Sequence, residues 1–237
     1  MRGSGKKAFG YVVRHDLNFA PHVSDGLLSL ACCKPDIRRT AEKNSILVGF
    51  SSKKRCVDLR IVYWARVESK QERDQYWKQH PKRRWDNIYE PDGGWFILLE
   101  NGYHGPKREE IKGDMKCHSV LLAKEYCCFG RGTSTFPGIP IPKGFSRVID
   151  KVNRAPRANH RLDDCTDFLK WIERKARHCS TKTVQLDRRD AVEKWNRKKG
   201  RDVCDEVRDY WTQHRAERKP PKGPRCAKRM VAKAGGC

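Results

Sequence analysis

Three short clusters in this chain combine residue types that could do chemistry. The first is Arg14-His15-Asp16, which follows an apolar stretch with strand character. A cation, an imidazole and a carboxylate in succession are costly at a strand end unless used. Histidine is the side chain whose proton moves near neutral pH. The plainer alternative is a strand-end ion pair and a turn. The second cluster is Lys34, Arg38 and Arg39. Positions 34 and 38 share a helical face, and a helix N-terminus attracts phosphate; the alternative is a solvated basic face. The third is Trp85-Asp86-Asn87-Ile88-Tyr89. Its carboxylate and amide could bond the polar edge of a base while its rings stack on the base's face. The alternative is an ordered turn packed by Trp85 and Tyr89.

Other chemistries find little footing. Neither G-x-x-x-x-G-K nor G-x-G-x-x-G occurs, so no phosphate-cradling loop is expected. Structural zinc sites favour cysteine pairs spaced by two to four residues. Here Cys32-Cys33, Cys127-Cys128 and Cys117-His118 are adjacent, and neighbouring side chains on a strand diverge. No metal is therefore expected, and the cysteines read as core fillers. Eleven Cys and eight His make chance nucleophile–base pairings too easy for one to be nominated. No cofactor is indicated.

The elements that must position these clusters follow from patterning. Ala8–Arg14, Ser45–Phe50, Arg60–Val67, Trp95–Leu99 and His118–Tyr126 read as strands. Leu27–Cys33 is apolar and fits a strand or a helix. Pro35 suits a first helical position, with Asp36–Glu42 continuing a short basic helix. Gln71–His80 is a second helix, ending before Pro81. Pro21–Gly26, Lys82–Glu90 and Gly130–Gly144 read as loops. Leu162, Cys165, Leu169 and Ile172 mark one helical face. A later helix is expected near Asp187. The order predicts an α+β fold with a curved, mainly antiparallel sheet or a small barrel, and flanking helices.

The chain has 237 residues and a formal net charge of +23. Seven Trp, seven Tyr and eight Phe support a packed core despite a hydrophobic fraction of 37%. No apolar run approaches the ~20 residues of a membrane span. Residues 151–237 hold 25 Lys and Arg against 12 Asp and Glu, and residues 215–237 hold eight against one. Pro220, Pro221, Gly223 and Pro224 stop any helix there, so a helical and then disordered basic C-terminal extension is expected. This charge points to a polyanion, above all nucleic acid, and not to a membrane. No secretory signal is visible, so the expectation is a reducing compartment, cytoplasmic or nuclear in a eukaryote. The cysteines are then thiols and not a disulfide framework.

The clusters, in this order, resemble the second nucleotide-modification-associated domain family. The resemblance runs through Tyr11 to Asp16, Phe19-Ala20-Pro21, Leu30 to Pro35 and Ile37-Arg38. It continues through Leu47-Val48-Gly49, Val62 to Val67, Tyr76-Trp77, Asp86 to Tyr89 and Tyr126 to Gly130. Ile141-Pro142, Asn159-His160-Arg161 and Phe168 to Trp171 complete it. It covers residues 8–186, leaving 187–237 as a basic extension. Asn44-Ser45 stands where the family tends to have Gly-Asp. The resemblance implies a place in phage-type and bacterial systems that modify DNA bases. The family's strand order is similar to the PUA-like folds, including ASCH and EVE domains, whose barrel pockets hold a base or nucleotide. The implied site has His15, Asp86 and His160 as proton-moving groups. Arg14, Asp16, Lys34, Arg38, Trp64, Asn87, Tyr89 and Arg161 would bind the substrate. Two readings stay open: an enzyme acting on a base or nucleotide, and a non-catalytic reader of modified bases in DNA or RNA. The reader would stack a base on Tyr63, Trp64, Trp85 and Tyr89. The expected partner is nucleic acid, DNA first. Arg14, His15, Asp86 and His160 are expected to converge in one pocket.

Overall fold

The computed structural model describes residues 7–13, 20–52, 58–80, 84, 86–92, 95–98, 113–129 and 138–179. The expected Asp187 helix and the basic tail lie outside the described residues. So do Arg14, His15, Asp16 and Trp85.

Two sheets and a hairpin carry the fold. The first sheet is built on β1 (Ala8–Val13), β4 (Ile46–Ser51), β5 (Arg60–Arg66), β10 (Glu125–Cys128) and β12 (His160–Arg161). Its order is β10-β5-β4-β1-β12, with β11 (Ile139–Pro140) also paired to β5. Only β1 and β4 run parallel; the other pairs are antiparallel. The second sheet, β2-β3-β9-β6, holds His22–Ser24, Leu27–Leu30, Ser119–Ala123 and Ser69–Glu72. β7 (Tyr89–Asp92) and β8 (Trp95–Leu98) form a separate hairpin. The helices are α1 (Pro35–Thr40), α2 (Arg73–Gln79), α3 (Ser146–Arg154) and α4 (Thr166–Arg177).

The mixed α+β class and the antiparallel bias match the expectation. No closed barrel forms among the described residues. The reason lies in how two strand pairs bend. β5 leads into β6 across Val67-Glu68, and β9 leads into β10 across Lys124. β5 pairs with β10 in the first sheet, while β6 pairs with β9 in the second. One long antiparallel ribbon thus folds over a corner and supplies strands to both sheets. The Glu68 amide bonds the Leu122 carbonyl at 2.8 Å and Lys124 meets Glu68 at 3.1 Å at that corner. The expected single strand His118–Tyr126 is therefore two.

Strand alternation then makes three apolar seams. Phe9, Tyr11, Leu47 and Ala65 face Leu28, Leu30, Leu121 and Ala123 between the sheets. Ala8, Val48, Phe50 and Trp64 face the opposite way, under Val148 and Val152 of α3 and Phe168 and Ile172 of α4. Ala31, Val120 and Leu122 pack with Tyr76, Ile88 and Tyr89 on the far side of the second sheet. Gly49 is required in the first seam: a Cβ there would lie 2.2 Å from the Tyr63 ring.

Turn chemistry fixes the entries. Asp25 and Gly26, at φ 50° and 70°, close the β2–β3 hairpin within the segment expected to be a loop. Asn44 takes φ 69°, so the turn before β4 forms with asparagine at its left-handed position. Pro35 opens α1 as expected. The thiol expectation is corrected at one place. Cys127 of β10 and Cys179, just after α4, form a disulfide across 52 residues of sequence. The helix that follows Leu162 returns its C-terminus to the sheet, which a reading of spacing alone does not reveal. Cys32, Cys33, Cys117, Cys128 and Cys165 are in no disulfide.

Candidate functional site

The edge of the first sheet beside β1 gathers the most available polar chemistry. Cys33 and Lys34 both adopt left-handed backbone, at φ 58° and 46°, just before α1. This kink turns Lys34 over the Tyr11 ring, with Nζ 4.8 Å from its centre. Tyr11 is buried, meets Tyr63 edge-on and donates to the Ala20 carbonyl at 3.4 Å. On the other side of β1, β12 forms the sheet's edge, with His160 opposite Gly10 and Arg161 opposite Phe9. The Arg161 guanidinium lies over the Phe9 ring and is held by Asp163.

His160 is 5% exposed, and its Nε2 has no hydrogen-bond partner among the described residues. A backbone hydrogen bond to Ala155 acts against this burial by favouring the charged form; with the proton on the other ring nitrogen, Nε2 would be the acceptor. Burial pushes the imidazole below its ordinary value, and the Lys151 and Lys34 charges add to the push. His160 is therefore neutral near pH 7 and can accept a hydrogen bond or a proton. The neighbouring Asn159 Oδ1 is also buried without a partner among the described residues.

Asp86, Asn87, Tyr89 and Arg38 lie elsewhere, in the seam beneath the second sheet. The Asp86 carboxylate accepts the Ser29 hydroxyl at 2.5 Å and the Tyr76 hydroxyl at 2.7 Å. Arg84 donates to the Tyr76 oxygen at 2.7 Å and stands 3.9 Å from Asp86. Burial, and then the Asp86 charge, hold the Tyr76 phenol far above its ordinary range, so it stays a donor. Asn87 donates to the His80 carbonyl at 2.8 Å, and its Oδ1 has no partner among the described residues. Tyr89 donates to Asp114 at 2.9 Å beneath the Arg73 guanidinium, which lies 4.7 Å from the ring centre. Arg38 is fully buried and gives its donors to the carbonyls of Cys33, Cys117, Ser119 and Asp114 at 2.5–3.0 Å.

These groups form a buried, hydrogen-bonded framework. Both Asp86 oxygens are occupied by hydroxyls, and Arg38 works as a clamp on backbone. The framework reaches the β1 edge through one segment. The Cys32 sulfur donates to the Asp86 carbonyl at 3.1 Å, the Cys33 amide donates to Asp114 at 2.6 Å, and Lys34 follows. Asp86 and His160 thus belong to different seams, joined through residues 32–34. Trp64 is 1% exposed inside the α3–α4 seam, and Tyr63 and Tyr89 are fully buried. Ser29, Arg73, Tyr76, Arg84 and Asp114 were not foreseen as a group. Arg73 and Arg84 sit in charged runs that read as solvated, and nothing local marks them as buried.

Among the described residues no three His, Cys, Asp or Glu side chains are placed to hold a metal ion, and no helix is long and apolar enough to cross a membrane. Comparison with curated proteins and with solved structures gives no match. The model of one family, described as nucleotide modification associated domain 2, matches residues 5–189. That span takes in both sheets, the Asp86 framework and the β1 edge, and the chain belongs to the nucleotide modification associated domain 2 family.

Proposed function

We propose that this domain binds a base or nucleotide of DNA at the β1 edge and takes part in its modification. The observation that carries the reading is His160: a buried imidazole in the strand beside β1 whose Nε2 has no hydrogen-bond partner among the described residues. Lys34 and Arg161 supply cations suited to phosphate. His160 accepts a hydrogen bond from the base or sugar, or takes a proton from it. Arg14, His15 and Asp16 follow β1 directly in sequence and complete the set of groups proposed for this edge. Asp86, Arg38 and Tyr89 act behind it, setting the course of residues 32–34 through Cys32 and Cys33.

A cage of aromatic rings for a modified base gains less support. Tyr63, Trp64 and Tyr89 are each no more than 1% exposed and serve the core. The deciding experiment is mass-spectrometric nucleoside analysis of DNA from cells carrying the wild-type chain, the His160→Asn variant or neither. Asparagine can keep the bond to Ala155 but cannot take up a proton. Modified nucleosides that depend on the protein and vanish in the variant support the reading. An unchanged nucleoside profile beside tight, base-selective binding sinks it in favour of a reader.

A further inference from the structure

A second surface stands on α4, across the first sheet from Lys34. The helix buries Phe168 and Ile172 on the sheet. Its outer flank presents Lys170, Arg174 and Arg177, at spacings of four and three, along one ridge. All three are exposed. Some cations elsewhere on the surface are paired with acids, Arg147 and Lys151 with Asp164, Arg161 with Asp163 and Lys124 with Glu68; others, such as Lys78 and Arg157, are exposed without an ion pair among the described residues but are not aligned on one helix beside an aromatic ring. Lys170, Arg174 and Arg177 have no ion pair among the described residues. The acid nearest them in the helix, Glu173, is taken by Arg66. The ridge borders a depression of about 440 Å³ lined by Phe145, Asp167, Lys170, Glu173, Arg174 and Arg177. Phe145 is half-buried there, 5.4 Å from Trp171 and 5.6 Å edge-on to Phe168, and so is held as a fixed ring beside the cations. The Cys127–Cys179 disulfide ties the end of the helix to β10.

We infer that the α4 ridge is a track for an unpaired nucleic-acid strand, with Lys170, Arg174 and Arg177 on successive phosphates and Phe145 stacking a base. Aligned cations beside an aromatic ring are the combination that holds single strands without regard to sequence. The cations suit the phosphates, and the ring distinguishes an unpaired strand from a duplex, whose bases are not free to stack on it. This rests on the proposed function only in taking nucleic acid as the partner; the ridge is distinct from the base site.

The test uses the full chain and a labelled single-stranded oligothymidylate of about 15 nucleotides, with its duplex form alongside. The triple variant Lys170→Glu, Arg174→Glu, Arg177→Glu alters only exposed side chains. It should lose affinity about tenfold or more at low salt, and the slope of log K against log salt should become shallower by about 2. Its melting curve should match wild type. Phe145→Leu keeps the apolar packing and removes the ring; it should weaken single-strand binding and leave duplex binding unchanged. A triple variant with wild-type affinity and salt slope overturns the proposal. So does a parallel loss of heparin and oligonucleotide binding with no effect of Phe145→Leu, which would mark a general polyanion patch. His160→Asn, measured in the same assay, should leave the salt slope unaltered, so failure of the ridge and failure of the base site are read separately.

Discussion

Lys34 Nζ sits 4.8 Å above the ring of Tyr11, whose neighbour Gly10 pairs with His160 of β12. Residues separated by more than a hundred positions thus share one edge. A cation over a tyrosine face is worth about 0.5–1 kcal/mol where solvent reaches it. Lys34→Met keeps the aliphatic stem and removes the charge. It should lower stability by less than about 1 kcal/mol, read as a small drop in Tm. Nucleotide affinity should fall by about ten- to a hundredfold if Lys34 bonds a phosphate, since such a charged bond contributes about 1.5–3 kcal/mol. Unchanged affinity in a folded variant would remove Lys34 from the site.

Acid should destabilise this protein through its histidines. His160 and His118 are both held below the ordinary imidazole value. Burial comes first in each case; Lys151 and Lys34 then act on His160, and Arg73 on His118. Each stays neutral in the folded chain while the unfolded chain takes up protons near pH 6.5. The stabilisation is therefore complete above about pH 6.5 and is lost as pH falls through the lower folded values. Denaturation midpoints should be level from neutral pH upward and fall on acidification. His160→Gln should flatten that acid limb. A variant with the wild-type acid limb would show that His160 is not held neutral by the fold.

The strand skeleton was legible because burial writes itself locally. Arg60–Val67 is apolar and β-branched and Pro35 presets a helical turn; the helix expected from Leu162 starts only at Thr166, so Leu162 and Cys165 lie ahead of it and only Leu169 and Ile172 of that spacing are helical. The corner at Val67-Glu68 and Lys124 was not, because a bent strand and a straight one have the same alternation. The Asp25-Gly26 hairpin carried its usual signal inside a segment read as loop. For the candidate site, the polar clusters were visible but their environments were not. Arg38 stands in a Lys-Pro-Asp-Ile-Arg-Arg run that reads as solvated. Only the long-range approach of Asp114, Cys117 and Ser119 gives it three more carbonyls to hold beside that of Cys33.

The Asp86 framework should fail unevenly. Asp86→Ala leaves the Arg84 guanidinium buried beside Tyr76 without its carboxylate. Breaking such a pair costs about 3–5 kcal/mol, and the variant should melt well below wild type. Tyr76→Phe removes a neutral donor and should cost about 1–3 kcal/mol. Because Asp86, Tyr76 and Arg84 share bonds, Asp86→Leu with Arg84→Met should cost less than the two single changes summed. Additive losses in urea titrations would show that Asp86 and Arg84 act independently.

The Cys127–Cys179 link closes 52 residues of sequence, from β10 through β11 and α3 to the end of α4. On a chain-entropy estimate, a loop of this length stabilises the fold by about 4 kcal/mol, because the unfolded chain loses its freedom to open. The effect should be largest on α4, which has no covalent neighbour in the first sheet apart from this bond. Adding a reductant should lower the denaturation midpoint of the wild-type protein. Cys179→Ala should show the lower midpoint from the start and no response to reductant. Cys179 is the better position to change, because Cys127 is fully buried and a substitution there would disturb packing as well. Hydrogen exchange should locate the loss: amides of residues 166–177 should lose protection before those of β4 and β5, whose ladder does not depend on the link. If the wild-type midpoint ignores the reductant while thiol titration shows the bond reduced, α4 is held by its Phe168 and Ile172 packing alone.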